Sequence, residues 1–193
     1  MDSDKTEIFI ETKRLYLRQW KPEDKKVFYE LNCDPEVMRY FPSVLTLEQS
    51  NELADKIIAL IEKNKWGLFA AELKLSGEFI GFIGLHVPTF EAAFMPCIEI
   101  GWRLHKHFWK KGYATEGALA VLDFGFNSLN LSEIISFTSK QNGPSMAVME
   151  RIGMKRDYSG DFDHPKIEEG HPLRSAVLYR INKQGFTGFN NKK

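Results

Sequence analysis

The run Glu99-Ile100-Gly101-Trp102-Arg103-Leu104, followed by Phe108-Trp109-Lys110-Lys111-Gly112-Tyr113-Ala114-Thr115-Glu116, constrains this chain most. It predicts a strand, a short basic turn and a helix that begins at a glycine. A helix N-terminus carries unsatisfied N–H donors and a partial positive charge. Gly112 and Ala114 keep bulk away from that backbone, and Lys110 and Lys111 add charge at the same mouth. These are the ingredients of an anion cradle. The spacing is neither a Walker loop nor the dinucleotide G-x-G-x-x-G, which leaves another phosphate-bearing cofactor.

The remainder of the 193 residues reads as one domain, with its core over about 12–181 and loose ends. Acidic and basic residues balance at 26 each, so no global field draws the chain to nucleic acid or an anionic membrane. Cys33 and Cys97 lack metal or redox spacing and read as reduced core thiols. There is no N-terminal apolar signal region and no run of about 18 apolar residues. A cytoplasmic protein without a membrane span is expected.

Along the chain, residues 1–11 read as a loose lead-in. Arg14–Arg18 alternates as a strand does. Pro22-Glu23-Asp24 opens a helix to about Asn32, and Asp34-Pro35-Glu36 a second, short one. Thr46-Leu47-Glu48-Gln49 has capping-box spacing and leads a helix to about Asn64. Trp66–Leu73 and Glu78–Val87 form a hairpin around Ser76-Gly77, with the second arm apolar on both faces and therefore central. After a loop at Pro88–Pro96 come the opening strand Cys97–Leu104 and a helix over Tyr113–Ser128. A strand at Ile134–Thr138, a helix at Gly143–Ile152 and strands at Met154–Tyr158 and Ala176–Ile181 complete the pattern. The last two are separated by a polar insertion, and Asn190–Lys193 is a frayed tail. This order predicts a mixed α/β (α+β) domain: a mostly antiparallel central sheet with helices on both faces.

Three local matches coincide with that order: Glu-Ile-Gly-Trp at 99–102, Trp-Lys-Lys-Gly-Tyr-Ala-Thr-Glu at 109–116, and Asn142-Gly143-Pro144-Ser145 followed by Met149–Met154. Together they make the chain, from about Thr12 to Ile181, resemble the GNAT superfamily of acetyl-CoA-dependent N-acetyltransferases. Within it the RimJ/RimL-like branch, which acetylates ribosomal-protein N-termini, is the nearest in pattern. The resemblance implies a splayed strand pair that receives acetyl-CoA, and no metal.

The family's phosphate loop, Q/R-x-x-G-x-G/A, falls on Trp109–Ala114. Trp109 departs from its first position, which weakens a phosphate role for that side chain. The backbone of Lys110, Lys111, Gly112, Tyr113, Ala114 and Thr115 is implied to hold the diphosphate. That of Trp102, Arg103 and Leu104 is implied to pair with the pantetheine arm as an added strand. A main-chain N–H there would polarise the thioester carbonyl. Asn142 matches a pantetheine ligand, and Ser145 a hydroxyl that meets the departing thiolate. Glu99 matches a carboxylate that some relatives use as general base.

Each position has a plainer alternative. Asn142 suits a helix N-cap, Ser145 an ordinary first-turn residue, and Glu99 a structural carboxylate paired with a base. His105 and His107 have zinc-like spacing without a third ligand. His164, in the insertion over 160–172, either lines the acceptor pocket or is a loop histidine. Phe41, Phe90 and Phe94 either shape that pocket or join the core.

The implied reaction moves acetyl to a primary amine, by direct attack in a ternary complex. The branch points to a protein N-terminal α-amine. With a pKa of ~7.7–8.0 such an amine needs a base less than one near ~10.4 does. A small amine such as a polyamine or antibiotic is the alternative acceptor. A non-catalytic acyl-CoA-binding module is the alternative function. Nucleic-acid binding through Lys106, Lys110 and Lys111 is disfavoured by the neutral balance. A monomer and a homodimer both remain open.

Overall fold

The computed structural model describes residues 6–188. Eight strands make one sheet: β1 (Ile8–Glu11), β2 (Leu15–Arg18), β3 (Leu68–Leu73), β4 (Phe79–His86), β5 (Glu99–Leu104), β6 (Glu133–Ser139), β7 (Lys155–Asp163) and β8 (Ser175–Asn182). Their order is β1-β2-β3-β4-β5-β6-β8-β7. Every neighbouring pair is antiparallel except β5 and β6. Four α-helices complete the fold: α1 (Asp24–Asn32), α2 (Leu47–Asn64), α3 (Tyr113–Asp123) and α4 (Gly143–Arg151). Among the described residues no helix is long and apolar enough to cross a membrane.

The two faces of the sheet bury different partners. Phe82 of β4 meets Phe28 of α1, with ring centroids 6.0 Å apart. Its chain neighbour Ile83 points the other way, into contact range of Gly117 on α3. At nine residues α1 is too short to be stable alone. Its helicity rests on burying Phe28 and Leu31, each fully enclosed and each worth about 1.5–3 kcal/mol. By contrast α2 carries its own start signal: Thr46 accepts from the Gln49 N–H and the Gln49 side chain accepts from the Thr46 N–H.

Five expectations change. Residues 8–11 are not a loose lead-in but an edge strand on β2, fixed by Phe9 stacking on Phe69 at 4.8 Å. Asp34-Pro35-Glu36 forms turns rather than a helix. The Asp34 carboxylate accepts from the Glu36 N–H and pairs with Lys106, a local alternative to helix continuation. The insertion expected over 160–172 begins as strand, because β7 continues to Asp163 through a register shift beside Asp157. The helix expected to run to Ser128 is α-helical only to Asp123 and ends in a π-helical turn, Phe124–Ser128. The cysteines are free but half-buried rather than core. The expected frayed tail lies outside the described residues.

Candidate active site

β5 and β6 run parallel, so their carboxyl ends lie at the same side of the sheet, where α3 and α4 begin. Their ladder holds at Glu99↔Ile135 only. The Ser136 hydroxyl donates to the Ile100 carbonyl at 2.9 Å, and beyond that point the strands part. Gly101–Leu104 therefore has β4 on one side and an open edge on the other. Ligands of α/β sheets gather at such a switch between neighbouring strands.

At the end of this split the chain enters α3 through two left-handed residues, Lys110 (φ 60°) and Gly112 (φ 81°). Gly112 caps the helix with backbone alone. A β-carbon there would be strained by its φ and would approach the Arg14 guanidinium to 3.3 Å. The loop is pinned from below. Arg14 donates to the Lys111 carbonyl at 2.9 Å and to Glu116 at 2.5 Å. Glu116 also accepts from the Thr12 hydroxyl at 2.7 Å and the Arg14 N–H at 2.8 Å. Burial works against the Glu116 carboxylate, but these donors outweigh it and hold its pKa below the usual carboxylate value. Lys110 and Lys111 stay exposed at the mouth, whereas Lys106 is paired with Asp34 and Glu36. Trp109 turns away from the loop: its indole N–H donates to the Leu104 carbonyl at 2.7 Å. That bond takes up one of the backbone acceptors of the open edge.

The flat face of β5 carries the other candidates. The pairs Phe82↔Arg103, Gly84↔Gly101 and His86↔Glu99 put Glu99, Gly101 and Arg103 on the α1 side with Phe82. Glu99, 7 % exposed, receives the His86 Nε2 at 2.8 Å. Burial works against the His86 imidazolium, but the hydrogen bond and charge of Glu99 outweigh it and raise its pKa. Burial pushes the Glu99 carboxyl up as well, and His86 and the Phe137 amide offset only part of that. The two titrate as a coupled pair that holds one proton between its steps. Beside them Gly101 leaves a gap, since a β-carbon there would meet no atom within 4 Å.

An aromatic wall adjoins this face. Phe90 lies 4.7 Å from His164, 5.5 Å from Phe137 and 5.9 Å from Phe162, and Phe94 packs on Phe162 at 4.9 Å. The rings fill one another's space, so Phe90, Phe94 and His164 join one packed cluster. Burial holds the His164 imidazole below its usual pKa. Phe41 stands apart, 4.1 Å above the Arg103 guanidinium.

Asn142 caps α4: its Oδ1 accepts from the Ser145 N–H at 3.2 Å, and its Nδ2 donates to Thr138 at 2.9 Å. The cap reading is therefore realised, with one lone pair and one hydrogen left for a ligand. Ser145 is half-buried in the first turn of α4. The rings of His105 and His107 meet edge to face, with centroids 4.6 Å apart. Among the described residues no three histidine, cysteine or acidic side chains cluster as a metal site. A cavity of about 500 Å³ between α4 and β7, lined by Met146, Glu150, Arg156 and Tyr179, includes neither Glu99 nor the 110–115 loop.

Sequence reasoning missed His86, the Asn32–Arg103 bond and the Thr12–Arg14–Glu116 brace. All three arise from strand register or from contacts between residues distant in the chain, which no local spacing signals.

Known proteins share this fold. The sequence model of the Acetyltransferase (GNAT) domain matches residues 14–155. The N-acetyltransferase YnaD of Bacillus subtilis is 34% identical over 177 residues, covering 90% of this chain and 96% of its own. The FsC-acetyl coenzyme A-N(2)-transacetylase of Aspergillus fumigatus is 31% identical over 194 residues, covering 93% and 78%. The crystal structure of the GNAT-family acetyltransferase from Bacillus anthracis superposes with a TM-score of 0.76 at 30% identity, covering 92% of this chain and 99% of that one. With the split sheet, the glycine-capped helix and these likenesses in hand, the chain belongs to the GNAT superfamily of N-acetyltransferases.

Proposed function

We propose that this protein transfers an acetyl group from acetyl-CoA to a primary amine, by direct attack within a ternary complex. The observation that carries the reading is the open backbone edge at Gly101–Leu104, which ends at the Gly112 cradle. The residues fit the cosubstrate. A bare helix N-terminus with Lys110 and Lys111 suits a diphosphate, and an unpaired strand edge suits the amide-bearing pantetheine arm. Bound acetyl-CoA supplies an activated acyl carbonyl and a thiolate leaving group.

The geometry supports the following roles for the chain's own residues. The backbone of Lys110, Lys111, Gly112, Tyr113, Ala114 and Thr115 holds the diphosphate. Trp102, Arg103 and Leu104 align the arm, and an N–H among them lowers the barrier at the carbonyl oxygen; such donors contribute ~2.7–4 kcal/mol. The spare hydrogen of Asn142 steadies the arm, and the Ser145 hydroxyl donates toward the sulfur. Glu99 takes the amine's proton as a unit with His86. At low pH that pair already holds its proton, so it accepts another only after losing the first.

The motif likeness to the RimJ/RimL-like branch favours a protein N-terminal α-amine as acceptor, and cytoplasmic action in one domain spanning residues 1–193. No further partner, nucleic acid or membrane is needed, and a monomer or homodimer serves equally. The test is a mass-spectrometric screen of purified protein with acetyl-CoA over N-terminal peptides, polyamines and aminoglycosides. Acetylated peptides support the reading. Acetylation confined to small amines moves the acceptor class. Tight CoA binding without transfer to any amine overturns the catalytic reading in favour of an acyl-CoA-binding module.

A further inference from the structure

Two arginines, Arg18 buried and Arg103 half-buried with its Nε enclosed, show opposite treatment in this chain. Arg18, 2 % exposed, is saturated: Asp24 accepts from both terminal nitrogens at 2.7 and 3.0 Å, and Glu72 accepts from Nε at 2.6 Å. That is how a structural guanidinium is normally held. Arg103 has no carboxylate. Its Nη1 donates to Asn32 Oδ1 at 2.6 Å, and its Nε is buried without any hydrogen-bond partner. Arg156 and Arg174 also leave Nε unpaired, but each faces an aspartate.

Arg103 is nevertheless held with care. Ser50 accepts from Asn32 Nδ2 at 2.9 Å, which turns the Asn32 oxygen toward the guanidinium. Ser50 and Asn32 are both fully buried. Phe41 and Phe82 flank the cation, with ring centroids 4.1 and 5.5 Å from its central carbon. The nearby acids Asp34 and Glu36 are engaged by Lys106. The result is a positioned, desolvated cation with its Nε edge unclaimed, and burial lowers its pKa to about 10. It shares the α1-side face of β5 with Glu99, and the gap over Gly101 lies between them.

We infer that Arg103 binds a carboxylate on the acceptor, so that the enzyme acetylates amines that carry a carboxylate several bonds from the nitrogen. This inference rests on the acetyltransferase reading. The amine lies over Gly101 toward Glu99, and the carboxylate accepts from Nε and its neighbouring terminal nitrogen, a fork that fits two oxygens. Four residues of strand, roughly 13 Å, separate the two ends of the site. Reaching Nε requires the Phe41 ring to move aside; it is 39 % exposed on the loop between α1 and α2. Two sources have this chemistry: an acidic side chain near a peptide N-terminus, and a small amino acid with a distal carboxylate. A polyamine has none, and Arg103 repels it.

Matched acceptor pairs test the inference: peptides with Asp or Asn at the second or third residue, ω-amino acids with their carboxamides, and spermidine. Acetyl transfer is followed with the wild type, Arg103→Gln and Arg103→Lys, alongside melting temperature and the KM for acetyl-CoA. The carboxylate member is expected to show a KM about 10- to 100-fold lower than its amide, as a charged hydrogen-bonded pair would give. Arg103→Gln should erase that difference, raising the KM of the carboxylate member about 10- to 100-fold relative to its amide, whatever change the two members share. Peptide and amino-acid arms identify the source. Equal use of both members, a preference that survives Arg103→Gln, or efficient spermidine acetylation overturns the inference while leaving the acetyltransferase reading intact. Transfer to no amine at all overturns both. Should Arg103→Gln fail to fold, the wild-type pairs and Arg103→Lys still decide.

Discussion

Glu99 was visible in the sequence as a strand carboxylate, but His86 was not, and His86 alters what Glu99 can do. The two lie thirteen residues apart in the chain and meet only because β4 and β5 pair in the register His86↔Glu99. If the pair is the base, kcat/KM should rise with pH through a pKa above the ordinary imidazole value of 6.5, since Glu99 holds the proton on His86. In Glu99→Gln the burial of His86 is opposed only by its hydrogen bond to the Val87 backbone, so any remaining limb should move to lower pH. The kcat toward an amine of pKa near 10 should fall about 10²-fold. A pH–rate profile of both proteins checks this, and an unmoved limb would rule the pair out. A second residue-scale expectation concerns Asp24, which is 2 % exposed and accepts two bonds from Arg18. Asp24→Ala leaves Glu72 as the one carboxylate on buried Arg18 and should lower unfolding free energy by about 3 kcal/mol in urea titrations.

At the scale of elements, local signals were read where the chain pays attention to its neighbours a few residues away. The capping box at Thr46, the glycine start of α3 and the polar cap of α4 are all contiguous in sequence. Thr46→Ala should remove about 1 kcal/mol from stability, measurable by denaturation. The edge strand β1 was illegible because its support is tertiary, Phe9 on Phe69. The brace beneath α3 was illegible for the same reason. Glu116 looked like a first-turn acid suited to the helix dipole; its contacts with Thr12 and Arg14 lie about a hundred residues away. Gly112→Val should place strained bulk at φ 81°, lower the melting temperature by several degrees and weaken acetyl-CoA binding more than tenfold in calorimetry. An unchanged affinity would dissociate the cradle from the cosubstrate.

Over the whole molecule, the class and most of the element order could be read from apolar patterning, alternating at β2 and continuous at β4, where both faces of the sheet are covered. The acceptor side could not, because it is assembled from α1, the 41–45 loop, β4, β5 and β6, none of which has a motif of its own. The same long-range wiring sets the response to acid. Burial opposes ionisation of Glu72, but Arg18 and Lys21 outweigh it and hold its pKa below 4.5. A depressed folded-state value means that its contribution is complete above 4.5 and is lost as pH falls through the lower folded value. Glu72→Gln should therefore reduce stability at neutral pH and flatten the acid limb below 4.5, as seen by circular dichroism.

The parting of β5 from β6 has a mechanical consequence. Five strands lie on one side of that seam and three on the other, and a single ladder position bridges them. A molecule laid into the seam would add the missing rungs between two groups of strands that share one continuous core. Backbone amides of Gly101–Leu104 should exchange hydrogen faster than those of β4 without acetyl-CoA, and slow when it is added. At a hundredfold excess over Kd the whole fold should gain about 2.7 kcal/mol. If acetyl-CoA binds there as proposed, the substrate consumed at each turnover would also be a splint across the sheet.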